Sequence, residues 1–263
     1  MPFTFQFLLF LIPGFLCYMG FYYWTPLFIR RGFSLVLSFW FFLWVPVLLL
    51  LPLSLVLFYI EVGAFTFPEI VERFRLLPIN GSDWIWIGAA IFITIVCDQL
   101  LEPIGKYFAK RKGFLPPSYL PAPFHPLRKI KLPPREFFGV QLQGNWSFLF
   151  IFITLHIIAM FSEEMMWRGY LLPVQELMFG EVAWVVNGLL WAWVVHACLK
   201  WHFIGMLPSM LVAPFIAQFT GSTWASFAVH AIGNSPLWIL LFFGVISSTS
   251  PEQSNTNKEH IHL

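Results

Sequence analysis

Glu163 and Glu164 stand side by side in Ser162-Glu163-Glu164-Met165-Met166-Trp167-Arg168, at the end of a long apolar run. A carboxylate at membrane depth is costly, so an intramembrane acid points to function. Each residue of a helix advances by about 100°. Glu164 and Arg168, four apart, therefore share a face and can pair, a structural ion pair that makes two charges tolerable at low dielectric. Glu163 is rotated off that pair and is left free to act as a base or ligand. Two more polar groups interrupt later apolar runs: His196 in Trp191-Ala192-Trp193-Val194-Val195-His196, and His230-Ala231-Ile232-Gly233-Asn234. His230 and Asn234 are also four apart and project from one face. A glutamate withdrawn from water suits general-base work. An imidazole and a carboxamide are donors for a developing negative charge in a water-poor site. Glu163, His196 and His230 would also serve as three Zn²⁺ ligands with one position open. Asn234 beside His230 fits an oxyanion hole better than a metal shell, so the metal-free reading leads and Zn²⁺ stays the alternative. No serine or cysteine lies beside these residues in a nucleophile motif, so an acyl-enzyme route is not indicated.

Taken singly, each residue has a plainer explanation. A lone membrane histidine is more often hydrogen-bonded or snorkelling than catalytic, and a lone asparagine can be interhelical glue. An acid, two histidines and an amide in separate apolar runs favour a shared site.

The elements that must position these residues are transmembrane helices. The 263 residues are 59% hydrophobic and 11% charged, with mean hydropathy +0.75, where a soluble domain carries roughly 25% charge. Seven continuous apolar runs stand near 3–29, 33–60, 84–101, 146–170, 182–199, 203–219 and 223–246. They lack the alternation of barrel strands. The expected fold is an all-α polytopic bundle of about seven spans, an integral multi-pass membrane protein. Three regions are expected: 1–145, N-terminal transmembrane helices with a basic, proline-rich loop; 146–246, a helical core holding the site; and 247–263, a polar disordered tail. The N-terminal run has no basic stretch before it and reads as a retained span. Net charge is only +2, yet eight of the fifteen Lys and Arg residues lie from Lys106 to Arg135. Between apolar spans such a block reads as a topology signal or a lipid-headgroup contact, not a nucleic-acid site. Prolines 116, 117, 121, 123 and 126 predict an extended or looped course for 102–145. Cys17, Cys97 and Cys198 form no metal or disulfide pattern.

Three other polar residues are candidates for supporting roles. His156 falls seven before Glu163 on nearly the same helix face. Asp98 is a second intramembrane acid, and His202 is a second histidine near His196.

The motifs Glu163-Glu164-x-x-x-Arg168, His196 and His230-x-x-x-Asn234, in that order, resemble the signatures of the CPBP intramembrane proteases. That family includes type II CAAX prenyl proteases and the lysostaphin-resistance and bacteriocin self-immunity proteins. The resemblance covers about 146–240. It implies that Glu163 and His196 activate a water for attack on a peptide carbonyl, and that His230 and Asn234 stabilise the oxyanion. The family pattern sets an aromatic residue four before its histidine; Ala192 stands there, flanked by Trp191 and Trp193. The implied activity is intramembrane endopeptidase cleavage of a peptide or lipidated, CAAX-type protein substrate in the bilayer. A non-catalytic scaffold or immunity protein of the same fold is the alternative. A proton-relay transporter using Asp98 and Glu163 is disfavoured by the lack of repeats.

Overall fold

The computed structural model describes residues 1–63 and 65–247. The expected disordered tail, 247–263, lies outside the described residues from 248 on. The chain is an all-α bundle. Among the described residues, five helical stretches are long and apolar enough to cross a membrane, with a shorter apolar helix beside them. Helix α1 is Phe3–Arg30, α2 is Leu35–Val62 and α4 is Gly81–Phe108, with a short α3, Phe67–Arg73, between α2 and α4. The 50-residue stretch Trp146–Val195 divides at Gly180, whose φ of 58° and ψ of −132° leave the helix. Residues 146–179 make α5 and residues 183–195 make α6. Contacts from Glu163 to Trp191 and from Trp167 to Asn187 run in opposite senses along the chain, so the two halves form an antiparallel hairpin. Helix α7 is Leu207–Thr220 and α8 is Thr223–Ile246.

The boundaries expected from hydropathy hold to within a few residues at most ends. The third run extends further, to Phe108, because Pro103 is tolerated inside α4 and Glu102 pairs with Lys106 one turn on, at 2.7 Å. Apolar side chains on α2 and α4, such as Ile60, Ile85 and Leu100, are 71–74% exposed. That apolar surface is suited to lipid.

Four stretches among the described residues are π-helical. Three of them stand directly before a proline-containing turn: Gly20–Trp24 before Thr25-Pro26, Trp40–Trp44 before Val45-Pro46, and Met165–Leu171 before Leu172-Pro173. Proline has no N–H, and its ring crowds the carbonyl four residues back. Widening the preceding turn to five-residue spacing relieves that crowding. The fourth, Trp191–Val195, ends at His196, whose backbone (φ −92°, ψ 21°) departs from the helix. Turns of 3₁₀ type follow over Ala197–His202 before α7 starts.

The basic segment after α4 folds as a cap. It contains short 3₁₀ turns at Lys112–Phe114 and Ala122–Phe124 and an antiparallel pairing of Glu136–Phe137 with Val140–Gln141. Leu120 and Leu142 are fully buried. Tyr119 donates its hydroxyl to Phe21 O at 2.7 Å, and Gly144 N–H donates to Val245 O. The cap thus ties the ends of α1 and α8 together.

Candidate active site

Helix α5 delivers the two glutamates at its deepest buried point. Glu164 and Arg168 are fully buried, with Glu164 Oε1 3.3 Å from Arg168 Nη1 across one turn. Glu164 also accepts from Ser226 Oγ at 2.5 Å and contacts His230 Nδ1 through Oε1 at 2.9 Å. Its carboxylate therefore joins α5 to α8 by two hydrogen bonds and carries the counter-charge of the arginine. With its Nδ1 engaged by Glu164, the His230 ring turns Nε2 toward Glu163, 3.9 Å from Oε2.

Trp191 on α6 stands at the centre of the group. Its indole N–H donates to Glu163 Oε1 at 3.2 Å. The guanidinium of Arg168 lies 3.7 Å above its ring, a cation–π contact. The rings of His196 and His230 meet it edge-on, at centroid distances of 5.4 and 5.1 Å. The π turn places the tryptophan there. His196 N–H donates to Trp191 O, five residues back, at 3.1 Å, and His196 Nδ1 contacts the same carbonyl at 3.0 Å. In this wider turn, position −5 lies under the histidine as position −4 would in an α-helix. An aromatic residue, Trp191, therefore lies under His196, one position before Ala192.

Four of the residues singled out in the sequence thus meet one indole, Glu163, Arg168, His196 and His230, and Glu164 is bound to two of them, Arg168 and His230. Asn234 shares a face with His230 and donates Nδ2–H to the His230 carbonyl at 3.0 Å, which leaves its second amide hydrogen and its carbonyl oxygen for other partners. His156 lies apart, accepting from Trp238 Nε1 at 3.0 Å and stacking on Trp44. His202 packs against Gly105 and Gly205. Asp98 Oδ1 is buried without a hydrogen-bond partner among the described residues. Two members were not singled out in the sequence. Ser226 lies four before His230 and shares its face, a spacing that could have pointed to it. Trp191 required the π register.

Among the described residues, no three His, Cys, Asp or Glu side chains are grouped closely enough to hold a metal ion. Glu163 already engages one oxygen with Trp191, and His196 turns Nδ1 to a backbone carbonyl. Those bonds leave Glu163 Oε2 and His196 Nε2 open.

Residues 145–236 match the family model of the Rce1-like proteins, type II CAAX prenyl endopeptidases. No curated protein and no solved structure matches the chain. The matched stretch contains the gathered residues and Asn234, and it bears out the family resemblance of the motifs. The five long apolar helices make the chain an integral, multi-pass membrane protein, and its residues 145–236 are similar to type II CAAX prenyl endopeptidases.

Proposed function

We propose that this chain, whose C-terminal region resembles the Rce1-like membrane endopeptidases, hydrolyses a peptide bond near the end of a membrane-associated, CAAX-type substrate, with Glu163 as the base. The observation that carries this reading is the meeting of Glu163, His196 and His230 on Trp191, with Glu163 Oε2 and His230 Nε2 3.9 Å apart. One water molecule can hydrogen-bond to both atoms across such a gap.

In this reading Glu163 takes a proton from the water as its oxygen attacks the scissile carbonyl carbon. The indole N–H of Trp191 holds the other carboxylate oxygen and fixes the direction of the base. His196, with Nδ1–H given to the Trp191 carbonyl, keeps Nε2 as an acceptor for the second hydrogen of the water. The tetrahedral oxyanion accepts from His230 Nε2–H and from the second amide hydrogen of Asn234. The Glu164 carboxylate holds His230 at Nδ1 and so directs Nε2 toward the reacting carbonyl. The C–N bond then breaks, and the proton held by Glu163 passes to the leaving amine. No nucleophile from the protein becomes acylated, and no step requires a metal. The substrate is a peptide or lipidated protein held in the bilayer.

The test is a Glu163→Gln variant of the full chain, reconstituted with a library of membrane-tethered peptides, with and without a chelator. Loss of cleavage in the variant and indifference to chelator are expected. Unchanged processing by Glu163→Gln would remove this residue from catalysis and favour a non-catalytic scaffold. Loss of wild-type cleavage on chelation would restore a zinc mechanism.

A further inference from the structure

We infer that Arg73, at the end of α3, is a positioning residue that holds the π turn following Glu163 and Glu164, with Gly14 of α1 bracing the turn that carries His196. The need for Arg73 begins with Pro173. Proline has no N–H, so the carbonyl four residues before it, that of Gly169, lacks its donor at α-helical spacing. Arg73 Nη1 supplies one, 3.3 Å from Gly169 O and 3.2 Å from Tyr170 O. The guanidinium is fixed from its other edge: Nε and Nη2 donate to the two oxygens of Glu61, each at 3.1 Å. Its carbon lies 4.5 Å over the Tyr170 ring. An exposed arginine–glutamate pair alone contributes little. Here the pair aims a third nitrogen at two backbone carbonyls of a neighbouring helix.

The residues after Arg73 carry the brace to α8. Phe74 fills the space under Gly169, where a Cβ would stand 3.0 Å from the phenyl ring and 3.1 Å from Phe74 O. Thr223 donates Oγ1–H to Phe74 O at 2.7 Å and N–H to Arg75 O at 2.9 Å. Ser222 donates Oγ–H to Leu77 O at 2.7 Å. Residues 73–77 therefore bond the π turn of α5 to the first turn of α8, the helix that carries Ser226 and His230. That bond sets the spacing between the glutamates and the histidine. At the other turn, α1 crosses α6 so closely that a Cβ on Gly14 would stand 2.2 Å from Val194 O. Both braces come from residues before 145, outside the stretch that matches the family.

The activity arm of the test rests on the proposed function; a second arm does not. The full chain in nanodiscs would be compared with Arg73→Ala, Arg73→Lys, Arg73→Ala combined with Pro173→Ala, and Gly14→Ala. One readout is kcat and KM on a membrane-tethered peptide that the wild type cleaves. The other is amide hydrogen exchange over 165–172, with α4 as the internal control. Small misplacements of a reacting group cost up to ~100-fold, so Arg73→Ala and Gly14→Ala should each lower kcat by ~10- to 100-fold with KM nearly unchanged. Exchange over 165–172 should accelerate in Arg73→Ala while α4 keeps its protection. Arg73→Lys should recover part of both readouts. Pro173→Ala should rescue Arg73→Ala, because residue 173 then has an N–H for Gly169. Wild-type exchange in Arg73→Ala, equal acceleration in α4, or no rescue by Pro173→Ala would overturn the inference. A wild type that cleaves nothing would refute the proposed function and leave the exchange result to decide the brace.

Discussion

The adjacent glutamates are expected to separate when each is changed to glutamine. Glu164 is fully buried against an equally buried Arg168, whose three guanidinium nitrogens have no hydrogen-bond partner among the described residues. Glutamine at 164 keeps one acceptor for His230 Nδ1, and the Ser226 hydroxyl can rotate to accept from the new amide. The lasting loss is the counter-charge of Arg168. Breaking a buried pair by removing one partner costs about 3–5 kcal/mol. At roughly 2–4 °C per kcal/mol for a chain of this size, Glu164→Gln should unfold ~6–20 °C below wild type. Glutamine at 163 keeps an acceptor oxygen for the Trp191 N–H and uncovers no opposite charge. Glu163→Gln should therefore hold within ~1 kcal/mol of wild type while losing cleavage. Unfolding in detergent, followed by tryptophan fluorescence alongside cleavage of a tethered peptide, reads both quantities. Equal destabilisation by the two variants, or a stable and active Glu164→Gln, would refute the assignment of charge compensation to one glutamate and chemistry to the other.

Three further outcomes follow from the same contacts. Trp191→Phe keeps a ring under Arg168 and beside both imidazoles but removes the N–H on Glu163. It should lower kcat by ~10-fold, the equivalent of about 1.4 kcal/mol, with little change in KM. Gly188→Ala places a Cβ 2.7 Å from Met210 O where α6 crosses α7; overpacking of this kind costs about 1–3 kcal/mol, measurable as a lower unfolding midpoint. His156→Phe keeps the stack on Trp44 and loses the bond from Trp238, so it should cost about 1 kcal/mol and leave cleavage within roughly twofold, as a steady-state assay would show.

Much of this architecture was legible in the chain itself. Uninterrupted apolar runs set the helices, and the four-residue spacing of Glu164 with Arg168 and of His230 with Asn234 set shared faces. The break at Gly180 divides the long stretch where the fourth and fifth runs were separated. Trp191 was not legible, because counting by 3.6 residues per turn put Ala192 beneath His196. Only the backbone bond from His196 to Trp191 reveals the extra residue in the turn. Arg73 was hidden for a different reason: it acts 96 residues along the chain from the carbonyl of Gly169, and no local period records such a pairing. The bond from Glu164 to His230 escaped as well, since pairing Glu164 with Arg168 satisfied the local pattern.

Helix α7 has 14 residues, a length of about 21 Å at 1.5 Å per residue, against a hydrocarbon layer of ~30 Å. A helix of this length falls short of that layer, and mismatch of this kind sorts proteins among membranes. The 3₁₀ turns over Ala197–His202 stand just before this short helix, next to the histidine. Reconstitution in lipids of graded acyl-chain length should then tune turnover without touching a single side chain, with turnover highest in the thinner bilayers.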